Sequence, residues 1–589
     1  MQKTIILIYL VFSAFVAFPQ PKLVTSDNQL ANEYYQNKEF DKAEVLYNKL
    51  FNQTKAKIYF NYYINCLIEQ KKYKIAKKSI KKQIRRHRKE LSYIVDLGYL
   101  YKKQDLPEKA KKQYEKAINK IAGTNTTIMG LANAFVRRKE YDYAVKTYKT
   151  ASKYLSRSYH RELAGVYMMQ RKYKEMISEY LDLAAEKTKN QITVQNNMQY
   201  YLNHDINDEF STLFRTELLT RIQSGSRKSV YSNLLIWYFM QRKEFDKALF
   251  QAKALDMRVR GNGRKIMEIA KTALSNSDFE TSLSAYKYII NVKGRRNYYY
   301  LSAKSGRLKV LYNKVINGDI KTKQEITDLE KEYIKTINST GNSEEATGST
   351  IDLAHIQAFY LNKPKKAEKL LEKTIELGYL PKKLIAQCKI ELGDILVFQN
   401  DLDLSALIYG QAEKDNTENK YGDIAKLRKA KLAYYRCDFK WAKAQFDALK
   451  TSTSKPVAND ALYFSMFIDD NIKDDSLMIA LKLFSHADLL IYRKKQDSAQ
   501  IILDTLISKY QAHQLLDDSY MKKAEIYASK NDYKNEIKYL KKIITECSQD
   551  ILADVAVFKL AVVYDEKLNN KDEAAEFYKK LMFKSCKNQ

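Results

Sequence analysis

The chain has 589 residues, 45% of them hydrophobic and 29% charged, which supplies a large core and argues against a mostly disordered protein. It contains only 16 Gly and 6 Pro, where average usage would give about 40 and about 30, so hairpin-rich sandwiches and barrels are disfavoured and helix is expected. Lys and Arg outnumber Asp and Glu by 102 to 70, a formal net charge of +32; residues 391–589 carry 31 of each sign, so the excess lies before residue 391.

In chain order, Met1-Gln2-Lys3 precedes an apolar run from Ile5 to Phe18, then Pro19-Gln20-Pro21-Lys22. One cation ahead of about fourteen apolar residues has the proportions of a secretory signal peptide and falls short of the roughly 20 that span a bilayer. Residues 1–20 are therefore expected to be a signal peptide, cleaved or kept as an N-terminal anchor, since Ala14 and Ala17 do not form a small-residue pair two apart. No cysteine precedes Cys66, which argues against a lipoprotein. The expected location is exported: periplasmic or outer-membrane-associated in a Gram-negative bacterium. Cys66, Cys388, Cys437, Cys547 and Cys586 show no C-x-x-C spacing and read as small buried residues, with a Cys547–Cys586 bridge left open.

Beyond residue 27 the chain repeats itself. Leu97-Gly98, Tyr101, Ala110, Tyr114 and Ala117 set a register that recurs at Leu30-Ala31, Tyr34, Ala43, Tyr47 and Leu50, and at Leu131-Ala132, Phe135, Ala144, Tyr148 and Ala151. Ala43, Ala76, Ala110 and Ala144 stand 33, 34 and 34 residues apart. Residues at i, i+3 and i+4 share a helix face, and Gly or Ala lets a paired helix approach while Tyr or Phe fills the space beside it. Further units are Leu163-Ala164 with Tyr180, Leu235-Ile236 with Ala248, Leu392-Gly393 with Tyr409, Ala430 with Phe446, Ala524 with Leu540, and Leu560-Ala561 with Tyr578. This pattern resembles the tetratricopeptide repeat. The resemblance implies an all-α fold, a right-handed α-solenoid of about 12 helix-turn-helix repeats, in which each pair needs its neighbours to cover its apolar stripe.

The expected organisation is an N-terminal array over 27–185, degenerate repeat-like helices over 186–337, a loop at 338–350, and a C-terminal array over 351–585. The stretches 186–228 and 292–350 lack the small-residue register, and Asn338 to Thr350 is the least apolar run. Asp469-Asp470 and Asp474-Asp475 are expected in a polar connector.

A basic patch of Lys77, Lys78, Lys81, Lys82, Arg85, Arg86 and Arg88 falls on the second helix of repeat two and its exit. It suits an anionic surface better than nucleic acid, for which neither zinc-knuckle spacing nor an RNA-recognition aromatic motif is present. The six histidines are scattered, and there is no H-E-x-x-H, no G-x-S-x-G and no phosphate-binding glycine loop; Gly261-Asn262-Gly263 reads as a turn. No catalytic, metal or cofactor residues are assigned, and a repeat-scaffolded hydrolase or transferase has no constellation behind it.

In the repeat, the residue after each small position and the one three before it face the concave groove. These positions hold Asn28, Asn32, Asn61, Asn65, Tyr99, Asn133, Asn233 and Trp237. An amide can donate to a peptide carbonyl and accept from its N–H, so such a column can hold an extended chain. It resembles the asparagine ladder of the O-GlcNAc transferase superhelix, and in part a chaperone-binding carboxylate clamp; Val95 and Tyr99 stand where a clamp would supply cations. The chain also resembles long exported repeat proteins of Bacteroidota, and Ala487 through Tyr578 resembles repeat modules of outer-membrane assembly and cell-division factors. The resemblance implies a non-enzymatic scaffold of the cell envelope that binds other proteins in envelope assembly, secretion or motility. The alternative is a basic binder of anionic lipid, polysaccharide or peptidoglycan.

Overall fold

A computed structural model describes residues 22–585 apart from short stretches at 122–123, 156, 226–227, 317–321, 342, 453, 473–477 and 549–550. The expected signal peptide, Cys586 and the pair Asp474-Asp475 lie outside the described residues. All regular structure among the described residues is helical, from Lys22–Gln36 to Lys571–Ser585, with π turns at Ile289–Lys293, Ile356–Tyr360 and Val563–Lys567. The fold is an all-α array of helix pairs. No helix among the described residues is long and apolar enough to cross a membrane.

One turn geometry recurs thirteen times among the described residues. A non-glycine residue with φ near +60° stands five residues before a buried position of the second helix, Ala or Ser in eleven of the thirteen and Met176 or Glu536 in the others: Lys38 before Ala43, Lys71 before Ala76, Asp105 before Ala110, Cys437 before Ala442. The next main-chain N–H then reaches back across the turn, as Glu39 N to Tyr34 O (2.8 Å), Leu106 N to Tyr101 O (3.0 Å) and Asp438 N to Ala433 O (2.9 Å). This caps the end of the first helix and aims the second back along it. Left-handed backbone costs an L-residue about 1 kcal/mol, so the pairing that each turn permits must outweigh that cost.

The pairing is a contact between a small residue and a ring. A Cβ added at Gly98 would lie 2.3 Å from Tyr114 Cε1, one at Gly393 2.3 Å from Tyr409 Cε1, and one at Gly306 2.4 Å from Tyr286 Cζ. The two small residues of a pair are 12 apart, as in Ala31/Ala43, Gly98/Ala110, Ala132/Ala144 and Ala430/Ala442. Where the second is serine, its hydroxyl donates to the first helix: Ser282 Oγ to Ala270 O (2.7 Å) and Ser405 Oγ to Gly393 O (3.0 Å). At Ala354/Ala367 and Ala561/Ala574 the spacing is 13. There the π turns absorb the extra residue, and the turn bonds lengthen to Lys363 N to Gln357 O (2.7 Å) and Asn570 N to Tyr564 O (2.8 Å). Packing register is kept and the helix end is distorted.

The chain divides into compact units at Met1–Leu255 and Asp256–Gln589. In the first, one core runs through three pairs, with Ala31, Tyr47, Ile64, Ala76, Ile80 and Leu97 in a single cluster, so no pair hides its stripe alone. The irregular stretch 186–228 holds helices Asn190–Asn203 and Glu209–Gln223. In the second unit, Tyr300–Ile316 and Lys323–Thr340 occupy much of 292–350. Most of the expected loop at 338–350 is helical: Ser343 caps Glu344–His355, and Ala346, Thr347, Ser349 and Thr350 are buried. Its small residues look loop-like in sequence because they serve close helix contact. Asp469 and Asp470 likewise sit in a helix, Lys455–Ile472, not in a connector. Gly261-Asn262-Gly263 is a turn as expected, closed on Asp256, whose Oδ1 accepts from Gly263 N (2.9 Å) while Lys293 pairs with Oδ2 (2.5 Å).

The second unit also departs from simple stacking. Tyr492 Oη donates to Asp394 O (3.1 Å), Arg493 to Phe398 O (3.2 Å) and Asn400 Oδ1 (2.8 Å), and Lys494 to Phe359 O. These contacts span 93 to 135 residues, whereas plain stacking joins only neighbouring repeats. The added helix Lys455–Ile472 packs on Phe439–Leu449, and Ile479–Tyr492 still packs on Lys420–Tyr435. With these contacts, Tyr492 and Arg493 reach the helix Lys382–Gln399 two pairs earlier, and Lys494 reaches the π turn Ile356–Tyr360 three pairs earlier.

The glycine contacts predict opposite effects for one substitution. Gly98→Ala should destabilise the protein by about 1–3 kcal/mol, because Tyr114 is buried and must move. Gly165→Ala, in helix His160–Met169 with open space at its Cβ, should stabilise by up to about 1 kcal/mol. Urea unfolding of the two variants checks the sign of each.

Candidate peptide groove and basic face

The first helices of successive pairs touch one another: Ser92–Lys102 on Asn125–Arg137 in the first unit, and Lys382–Gln399, Lys420–Tyr435, Ile479–Tyr492, Leu515–Ser529 and Ile551–Val562 in series in the second. Second helices such as Phe40–Thr54, Leu402–Lys414 and Tyr533–Glu546 pack between their own first helix and the next one. Within each unit these first helices therefore share a wall, and the residues flanking the buried small positions lie along it. Asn28 and Asn32 are exposed beside buried Ala31, and Asn133 beside buried Ala132. Asn61, Asn65, Tyr99, Asn233 and Trp237 are half-buried.

Those residues are in different states. Asn61 Oδ1 and Asn233 Oδ1 are shielded from solvent and meet no protein donor. Asn65 is engaged: its amide donates to Tyr35 Oη (3.3 Å) and its oxygen accepts from Arg138. Arg138 also binds Asp96 Oδ1 through Nε (3.0 Å) and Nη2 (2.7 Å) and lies 4.5 Å over the Tyr99 ring. The Arg138 and Asp96 side chains are only 8% and 3% exposed. Asn65, Asp96, Tyr99 and Arg138 thus tie three consecutive repeats together across the wall. Trp237 packs edge-on to Phe214 with centroids 6.5 Å apart.

In the second unit the same positions carry charge, which the search for recurrent asparagine passes over. Asp394 follows Gly393, Lys431 follows Ala430 and Asp488 follows Ala487. Applying the same register to those small residues finds all three. Asp394 accepts from Tyr409 Oη (2.5 Å) and pairs with Arg428 Nε (3.0 Å); Asp488 pairs with Lys522 (2.8 Å). His355 Nδ1 lies 2.8 Å from Glu391 Oε1, and burial pushes the Glu391 carboxyl up despite that bond. Lys431 lies 4.6 Å over the Phe464 ring, its pKa lowered by burial and then by Arg428. Arg428 keeps 36% of its side-chain surface in solvent even though burial opposes its charge, as expected for a concave wall.

The basic patch lies on helix Tyr73–Arg86, whose Ala76, Ile80 and Gln83 face the core. Lys78, Lys81, Lys82, Arg85, Arg86 and Arg88 are exposed, and none has a carboxylate within ion-pair distance among the described residues; Lys77 lies 5.2 Å over the Tyr101 ring. Elsewhere, His160, Glu179 and Asp182 bring ligand atoms within 4.8 Å of one another. All three are already engaged: Glu179 and His160 Nδ1 with each other (2.6 Å), and Asp182 with Arg221. The cluster reads as an ion-pair network. Cys66 and Cys388 are buried, and burial pushes both thiols up to about 12, which suits packing over reactivity.

Residues 91–119 and 517–550 match the model of a family described as tetratricopeptide repeat, and residues 555–582 match a second model of that description. In these segments the chain matches the tetratricopeptide repeat. The matched tetratricopeptide segments coincide with the pairs beginning at Ser92, Leu515 and Ile551. No curated protein matches the chain. Among solved structures, Naa15/Naa10 bound to HypK-THB is similar at 12% identity and TM-score 0.25, covering 94% of this chain and 99% of that one. A tetratricopeptide repeat protein from Parabacteroides merdae is similar at 11% identity and TM-score 0.27, covering 51% of this chain and 97% of its own. The APC/C hetero-tetramer Cut9–Hcn1 shows 12% identity and TM-score 0.27, over 90% and 95%.

Two measurements test the wall. Arg138→Met should cost about 3 kcal/mol or more by leaving Asp96 buried without its cation, and adding Asp96→Asn should recover much of the loss in urea unfolding. The hydrogen bond to Glu179 raises His160 above its ordinary 6.5 against the effect of burial. Its stabilising contribution is therefore complete below about pH 6.5 and is lost as pH rises through the folded-state value. The melting temperature should show a decline above pH 6.5 that His160→Gln flattens.

Proposed function

We propose that this protein is a non-enzymatic scaffold that holds segments of partner polypeptides along the wall formed by its first helices. The observation that carries the reading is the set of accessible amides at groove register, Asn28 and Asn32 beside buried Ala31 and Asn133 beside buried Ala132. Such amides can bind backbone without reading side chains. Arg138 holds the middle of the N-terminal wall rigid, which lowers the ordering cost of binding.

The export signal read at residues 1–20 supports a place in the cell envelope of a Gram-negative bacterium, periplasmic or at the outer membrane, with partners among assembly, secretion or motility components. A second reading, docking onto an anionic envelope surface, is favoured by the six exposed cations of residues 78–88 that lack acidic partners. Sedimentation with anionic vesicles or sacculi should then fall steeply as salt is raised.

The groove predicts a separation of binding from stability. On an immobilised library of unstructured peptides, the parent should retain a subset, and Asn32→Ala with Asn133→Ala should weaken that retention about tenfold. The same double variant should melt like the parent, because both side chains are exposed. Retention by neither protein, or by both equally, overturns the groove assignment.

A further inference from the structure

Beside the basic helix is a cavity of about 610 Å³ whose lining is built from two chain segments. One side is the helix exit, Arg85, Arg86, His87, Arg88 and Lys89; the other is the first turn of helix Asn125–Arg137, with Thr126, Thr127 and Gly130. Glu90 is the acidic lining residue, and it is already committed: Lys57 lies 2.9 Å from its Oε1, and Ser92 donates to the same oxygen (2.5 Å). The five consecutive residues 85–89 are exposed, and their cations have no carboxylate partner within ion-pair distance among the described residues. They are held together at mutual electrostatic cost.

The opposite wall has the same sign. The Thr127 N–H there already donates to Thr124 O (3.0 Å), so what the helix start offers is the positive end of the helix dipole and two threonine hydroxyls. Thr124, at the helix start, makes no side-chain capping bond; its hydroxyl lies 3.3 Å from that of Thr127. The basic helix exit and the positive end of helix Asn125–Arg137 therefore line one cavity, and its volume falls in the range of small-ligand sites rather than that of a single ion. Arginine supplies forked donors that match phosphate oxygens.

We propose that this cavity binds closely spaced phosphate groups, with Arg85, Arg86 and Arg88 on one side and the Thr126–Thr127 turn on the other. The proposal goes beyond peptide capture; it rests on the basic-face reading only in needing these cations unpaired.

The test uses the full chain and inorganic tripolyphosphate in isothermal titration at low and raised salt. Saturable binding that weakens with salt is expected. Arg86→Gln with Arg88→Gln should weaken it at least about tenfold. Lys81→Gln with Lys82→Gln, an equal charge loss on the same helix outside the cavity, should weaken it less than about threefold. All four side chains are exposed, so both variants should melt like the parent. Absence of saturable binding, or equal weakening in both variants, overturns the site. Vesicles containing phosphatidic acid give the second arm. Displacement of bound vesicles by tripolyphosphate assigns the phosphates to lipid headgroups; tripolyphosphate binding without vesicle binding assigns them to a soluble compound and removes the basic-face reading while the cavity stands.

Discussion

Close approach between two helices, with a glycine or alanine on one under a tyrosine or phenylalanine on the other, is the contact on which the rest of this protein depends. At Gly98 and Gly393 there is no room for one further carbon. That contact sets the distance between helices, the distance sets which residues are left on the wall, and those residues are the candidate site. The left-handed turn residue five positions before the second small residue places the two helices for this contact, mostly without glycine. Since each left-handed residue is unfavourable by itself, the turns persist because pairing and stacking over-determine them.

The two units use the same register for different chemistry. In the first, amides and a tyrosine line the wall, and Arg138 binds Asp96, Asn65 and Tyr99 across three repeats. In the second, Asp394, Arg428, Lys431, Asp488 and Lys522 make a charged wall, and Tyr492 to Lys494 contact residues of much earlier repeats. Net charge changes inside the second unit, with balanced signs after residue 391 and the excess of cations before it. A protein built this way can present an amide-lined surface for backbone and a separate cationic face from one repeating scaffold.

Much of this was legible because the repeat is short-range. The spacing Ala76, Ala110, Ala144 and the residues around Gly98 depend on helix periodicity and on neighbours one repeat away, which a linear pattern records. The flanking rule placed Asn28, Asn32 and Asn133 at solvent beside buried alanines. It was applied to asparagine and so missed Asp394, Lys431 and Asp488, whose types do not repeat although their positions do. The run from Asn338 to Thr350 misled for the opposite reason. Its small polar residues are the composition of a loop, but Ser343 caps a helix there and the others pack inside it.

By itself the sequence determined the helical state, the period, the small-to-ring contact and the concentration of positive charge before residue 391, because each is a property of composition or of neighbours on one helix face. Only the tertiary structure decided that Arg138 would take up Asn65, that Tyr492 would reach Asp394, and that Arg85 to Lys89 would face the start of the helix at Asn125. Those pairs are separated by tens of residues or more, and which of them meet depends on stacking angles summed over several repeats. No local pattern encodes that sum.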